Sequence, residues 1–355
     1  MTNTETVKTS LPKRLLKRYF LDALSAMALG LFSSLIIGLI IAQFAKIPGL
    51  SVLGDIASVA QSGPVVGAAI GVAIAWGMKC APLAVFSNAV VGAVAYATAG
   101  GGPLGCYIAA VIGAELGNLV SGKTKIDIIL VPIVTIITGS LVGMLIGPGV
   151  TSLMRALGDF IGSTTLMSPI PMGIIVSAVI GLALTAPISS AALCAMIFIS
   201  GADGTLSEGL KLAAGAATAG CCAHMVGFAV ASFKDNGVGG LIAQGLGTSM
   251  LQVGNIMRKP ATLLPAVVAS VITGPLSTTV FHMYNAGAAA GMGTSGLVGQ
   301  IGTFDAMAAE TGAWQTILMM LALHIVIPAL IAWGTVLLLR KIGWIQTGDM
   351  LIQKK

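Results

Sequence analysis

Charge is scarce in this 355-residue chain: only 8% of positions are Asp, Glu, Lys or Arg, against roughly 25% in a soluble domain. Twelve acids and 18 bases cannot cover the water-exposed domains that this length would otherwise fill. Aromatic residues are also few, at 5%, and none interleaves with a basic stripe, so the formal charge of +6 does not point to nucleic acid. The five cysteines (Cys80, Cys106, Cys194, Cys221, Cys222) lie in or beside apolar stretches without metal-ligand spacing, and they read as small packing residues. The chain has no GxSxG or HExxH motif and no close carboxylate pair. Neither an enzymatic centre nor a bound cofactor or metal is expected.

Apolar residues, by contrast, fill 56% of the chain, and the mean hydropathy is +0.99. They come in continuous runs of about twenty residues rather than in short alternating strands, which excludes a β-barrel and predicts an all-α polytopic membrane protein. Ten spans are expected, over 21–45, 57–78, 82–99, 103–120, 128–147, 171–188, 212–232, 238–257, 261–282 and 314–339. The first run is too long for a secretory signal core and is expected to stay. Residues 189–200 are left as an apolar tail too short to cross. On this count 1–20 is a basic cytoplasmic segment, 21–341 one transmembrane domain and 342–355 a short cytoplasmic tail. With the N-terminus inside, fifteen bases lie inside, Lys79, Lys211, Arg258, Lys259 and Arg340 among them; Lys46, Arg155 and Lys234 fall outside.

Glycine is abundant, at 47 residues. Gly63, Gly67 and Gly71 recur every four residues, as do Gly139, Gly143 and Gly147, so each set lines one helix face where another backbone can approach. Two stretches resemble each other: Gly117-Asn118, a basic turn, Pro132 and Ile137-Thr138-Gly139, against Gly254-Asn255, Arg258-Lys259, Pro265 and Ile272-Thr273-Gly274. Ala186-Pro187-Ile188 and Ile327-Pro328-Ala329 form a further pair, while Phe86–Asn88 against Phe233–Asn236 would pair spans of opposite direction, so parallel and inverted repeats both stay open. Two segments, 162–173 and 285–303, carry Gly, Ser, Thr and Pro in place of apolar residues, 285–303 being the better candidate to re-enter the bilayer. Paired interrupted segments of this kind point to a transporter's binding site.

Ionisable groups within spans are costly and mark function by default. Glu115, between Gly113 and Gly117, is the one acid well inside a span; it can accept hydrogen bonds from a polyol, carry a proton, or pair with Lys123 or Lys125. Of His224, His282 and His324, His282 leads through Tyr284 into the glycine-rich segment. Asn88, Asn118, Asn236, Asn255 and Asn285 offer neutral donors and acceptors, or helix caps. Substrate-binding candidates are therefore Glu115, Asn118, Asn88, His282 and Asn285, with Gly291, Thr294 and Ser295 from the segment that follows.

The stretch Gly113-Ala-Glu-Leu-Gly-Asn-Leu-Val-Ser-Gly-Lys-Thr-Lys-Ile-Asp-Ile-Ile-Leu-Val-Pro132 resembles the phosphotransferase-system EIIC-like membrane proteins that include the perfringolysin regulator of clostridia, and Ala186–Ser190 and 287–302 support the likeness. The resemblance implies a permease-like domain of the bacterial inner membrane, a homodimer, and separate cytosolic EIIA and EIIB partners. It also implies a sugar held by an intramembrane acid and a histidine. A fused EIIA or EIIB portion is not expected, and no cysteine lies in a charged loop suited to carry phosphate. The expected function is translocation of a small polar solute by alternating access, through lipid; the alternative is a membrane sensor that binds solute without net flux.

Overall fold

The computed structural model describes residues 14–15, 17–45, 47–186, 189–199 and 206–352. Lys46, Pro187 and Ile188, named above, lie outside the described residues, as do Lys8, Lys13, Lys354 and Lys355, which belong to the fifteen bases counted inside. Among the described residues every regular element is helical. The α-helices are α1 (Leu24–Leu31), α2 (Ile37–Ala45), α3 (Leu53–Gln61), α4 (Gly63–Gly77), α5 (Pro82–Ala93), α6 (Gly102–Val120), α7 (Asp127–Met167) and α8 (Pro169–Thr185). They continue as α9 (Ser190–Ile197), α10 (Glu208–Ala231), α11 (Phe233–Ile242), α12 (Val253–Arg258), α13 (Leu264–Thr279), α14 (Val298–Thr311), α15 (Ala313–Met320) and α16 (Ile327–Lys341). Six helical stretches are long and apolar enough to cross a membrane, or seven if the bent α3–α4 pair counts as one, and Pro82–Thr98 and Pro169–Thr185 are apolar but shorter. The protein is an all-α polytopic membrane protein. The count of ten is not reproduced.

The chain divides into two compact units, residues 1–31 with 63–148, and residues 32–62 with 149–355. In the first, glycines decide the packing. A Cβ on Gly67 of α4 would sit 2.3 Å from the Gly92 carbonyl oxygen of α5, and one on Gly92 would sit 2.0 Å from that of Gly67. Gly71 meets the Asn88 carbonyl in the same way, at 2.2 Å. The second glycine stripe also lies against the α5 region and its extension: Gly139 meets Val91, Gly143 meets Ala95 and Gly147 meets Ala99. Lipid tails are as apolar as the helices, so this close backbone contact supplies the attraction that water would supply elsewhere.

In the second unit α10 is the axis, with nearly every residue buried. Its 24 residues reach about 36 Å at 1.5 Å per residue, enough to cross a bilayer. The elements around it locate both ends. Near its start, the Asn285 amide donates to the Lys211 carbonyl. At its finish, Ser232 takes a hydrogen bond from Gln244, and Arg340 reaches the Ala231 carbonyl. Helix α13 runs from the finish toward the start, where Met283 lies against Gly215, and α15–α16 run back to the finish.

Two expected features change. Residues 162–173 are not irregular, because Ser163, Thr164 and Thr165 donate to carbonyls of Asp159, Phe160 and Ile161 one turn back, which absorbs their polarity inside α7. Only Ser168 interrupts the helix, before Pro169 opens α8. The other change is larger. Residues 238–257 do not cross: Asn236 donates to the Met350 carbonyl and Asn255 to the Leu351 carbonyl, so both ends of the segment touch the same short tail. Gly237, at φ 60°, breaks α11, and the return runs through a short π-helix, a 3-10 turn and α12. Lys234 therefore shares an end with Arg258, Lys259 and Arg340, while Lys211 lies at the opposite end of α10; the charge assignment above had these two lysines the other way round.

Candidate functional site

Three chain reversals converge beside the last third of α10. The first is α8–α9. Helix α8 runs alongside α10, with a Cβ on Gly220 placed 2.1 Å from the Ser177 carbonyl oxygen, and ends at Thr185. Helix α9 then returns, capped by Ser189, until the Ile197 carbonyl lies 3.2 Å from a Cβ on Gly158. This explains the described part of that apolar tail: residues 189–199 form the returning arm of a hairpin. The second reversal is 233–258, entering from the finish of α10. Its arms are joined by an amide ladder in which Gln244 donates to Ser232 (2.7 Å), Gln252 to Gln244 (2.8 Å) and Asn255 to Gln252 (2.7 Å). These side chains supply the bonds that an unbroken helix would have made in its own backbone.

The third reversal is 281–311, entering from the start of α10. Buried Asn285 anchors it, its amide nitrogen donating to Thr218 Oγ1 (2.8 Å), the Gly299 carbonyl (3.0 Å) and Thr303 Oγ1 (3.1 Å). At its tip Gly293, Gly296 and Leu297 all have positive φ, of 54°, 53° and 60°. A leucine held there is strained by about 1–2 kcal/mol. The segment is an irregular hairpin, as its composition suggested, except that α14 takes over from Val298.

The second and third tips touch. Thr294 Oγ1 donates to the Gly245 carbonyl, and Ser295 Oγ to the Gly247 carbonyl at 2.9 Å. Ser249 Oγ lies 3.0 Å from Thr185 Oγ1, which in turn lies 2.8 Å from His224 Nδ1. The imidazole packs against Gly181, whose Cβ would stand 2.5 Å from the ring. One turn beyond the third tip, Gln300 Nε2 is 3.3 Å from both Cys222 Sγ and His324 Nδ1. Gln300 Oε1 and the Nε2 atoms of His224 and His324 are buried without a hydrogen-bond partner. Such groups are expensive to bury. The cluster holds hydroxyls, amides and imidazoles, with no carboxylate or ammonium, and so suits a neutral polyhydroxylated molecule.

The sequence candidates divide between the units. Asn285, Gly291, Thr294 and Ser295 fall in the third hairpin, with Gly291 packed on Ser190 of the first. His282 (φ 43°) is exposed at the hairpin's entrance, away from the tips. In the first unit Asn88 is fully buried and donates to the Gly71 and Ala110 carbonyls, its Oδ1 left unpartnered. Asn118 accepts from the Ala81 amide. Glu115 pairs with Arg18 at 2.6 Å, rather than with Lys123 or Lys125, and the Tyr107 hydroxyl donates to the Tyr19 carbonyl beside it. Cys80 adjoins the pair. Burial pushes its thiol up to about 11, Arg18 pulling the other way without reversing it, and a protonated thiol is a poor nucleophile. Thr185, His224, Ser249, Gln300 and His324 were not among the candidates; only the glycines at 237, 239, 240, 245 and 247 signalled that the second hairpin was broken.

The family model described as Phosphotransferase system, EIIC matches residues 21–352. No curated protein matches the chain.

Proposed function

The chain belongs to the phosphotransferase system EIIC family and is thus a multi-pass permease-type component of the bacterial membrane, and from that premise we propose that it carries a small neutral polar solute, a sugar or related metabolite, by alternating access. The solute site is the junction of the hairpin tips, with Thr185, His224, Ser249, Thr294 and Ser295 as its hydrogen-bonding groups. The observation that carries the reading is the meeting of hairpins from opposite ends of α10 beside the last third of that spanning helix, away from both of its ends. Discontinuous elements at mid-depth are where transporters bind, and rocking one hairpin from the other would open either side. The concentration of Lys234, Arg258, Lys259, Arg340 and Lys341 at the finish of α10 supports a cytoplasmic position for that end and for residues 342–352. A homodimer and separate EIIA and EIIB subunits are the partners that the family implies.

Purified protein in proteoliposomes, tested for counterflow of a panel of labelled sugars and polyols, checks this. One member of the panel should exchange, and Thr185→Val, which keeps volume but removes the hydroxyl between His224 and Ser249, should reduce exchange by about tenfold, the factor for 1.4 kcal/mol. Saturable binding without exchange would instead favour the sensor, and unchanged exchange by Thr185→Val would move the site elsewhere.

A further inference from the structure

A cleft of about 210 Å³ opens between the finish of α10, the start of α11 and the last helix, away from the hairpin tips. Its walls are apolar: Val230, Leu241, Trp333, Val336 and Leu337. Its remaining charged lining is cationic, from Lys234 and Arg340. Arg340 is held in place, with a side chain only 13% exposed, one guanidinium nitrogen 3.5 Å from Asp235 and 3.4 Å from the Ala231 carbonyl. Its Nε is buried and has no partner. Asp235 is already shared with the Gly348 and Met350 amides. The two cations therefore leave one positive charge beyond what Asp235 offsets.

We infer that this cleft is a binding site for one anionic phospholipid, its phosphate on Lys234 and Arg340 and an acyl chain against Trp333. The geometry matches that amphiphile. Trp333 lies seven residues before Arg340 on one helix, or about 10 Å along its axis, which places cation at headgroup depth and indole among the acyl carbons. The charge selects the lipid class, since a zwitterionic headgroup brings its own cation against Lys234. The occupant also has a structural consequence: it would brace the second hairpin, whose first arm supplies Phe233, Lys234 and Leu241, against the last helix.

The test uses the full chain with Trp76, Trp314 and Trp344 changed to Phe, so that Trp333 is the sole reporter. The protein is placed in vesicles of phosphatidylcholine doped with dibrominated phosphatidylglycerol or dibrominated phosphatidylcholine. Quenching of Trp333 should show about a fivefold preference for the anionic lipid, the factor for one basic group at the membrane surface. Lys234→Gln, a substitution at an exposed position, should erase most of that preference while quenching by the zwitterionic lipid stays the same. Inorganic phosphate at millimolar concentration should leave the anionic preference intact; its loss would mean a free-phosphate site and would overturn the lipid assignment. Equal quenching by the two lipids, or a preference that survives Lys234→Gln, would also overturn it.

Discussion

The two units handle burial in a membrane by opposite means. In the first, continuous helices satisfy their own backbones, and glycines at four-residue spacing bring α4, α5 and α7 into backbone contact. Its ionic contact is a clasp at one edge, Arg18 on Glu115. In the second, three reversals break the helical ladder, so side chains must replace it: Gln244, Gln252 and Asn255 in one hairpin, Asn285 in another. The comparison separates rigidity from function. A unit that closes on backbone contact tolerates little movement, whereas hairpins held by a few side-chain bonds can part and rejoin.

Substitutions that attack each mechanism in turn sharpen the contrast. The largest effect belongs to Gly92→Leu, whose new side chain would have to displace the Gly67 carbonyl 2.0 Å away. A loss above about 3 kcal/mol is expected, at the upper end of overpacking costs, seen as failure to recover a single peak in detergent chromatography. Gly149→Leu, with nothing within 4 Å of its Cβ, should fold normally; equal damage from both would break the packing argument. Next comes Asn285→Ala, which strands Thr218, Thr303 and the Gly299 carbonyl. It should cost about 2–3 kcal/mol, with faster hydrogen exchange confined to 281–303 and unchanged exchange in α4–α6.

Smaller effects are expected at the charged clasps. Glu115 and Arg18 each remain about a third exposed, so Glu115→Gln should cost under about 1 kcal/mol and leave counterflow intact. Loss of solute affinity in that variant would instead bring the first unit into the binding site. The smallest effect is pH-dependent. Burial raises the Asp349 carboxyl, but the hydrogen bond from Lys259, the Gln346 amide and the charges of Lys259 and Arg340 outweigh it and hold it below its ordinary value of 3.8. The clasp is therefore fully present above that value and is lost as pH falls through the lower folded one. Protection of the Gln346 amide, which donates to Asp349, should drop only in that acidic window, and Asp349→Asn should show the same loss at neutral pH.

Much of this was legible in composition and spacing. Scarce charge and long apolar runs set the fold class, the two glycine stripes pack as their period predicts, and uncharged 285–303 does form an irregular hairpin. The second hairpin was not legible, because 238–257 is as long and apolar as a true span; its return is encoded by Gly237, by the Gln244–Gln252–Asn255 ladder and by a tail 96 to 114 residues distant in sequence. Misreading it reversed the direction of α10, and with it the sides of Lys211 and Lys234. His224 was ranked below His282, and Thr185 passed over, for a related reason: a lone histidine and a lone threonine on separate spans show no mutual spacing until α8 and α10 lie side by side. Glu115 was visible, but its partner Arg18 lies 97 positions away.

The central claim is that residues 238–257 turn back inside the membrane instead of crossing it. Single cysteines placed at 211, 234 and 259 in a cysteine-free chain, labelled in oriented membrane vesicles with an impermeant maleimide, test it directly. The account predicts that 234 and 259 react from one side and 211 from the other; labelling of 234 and 259 from opposite sides would show a crossing and contradict it.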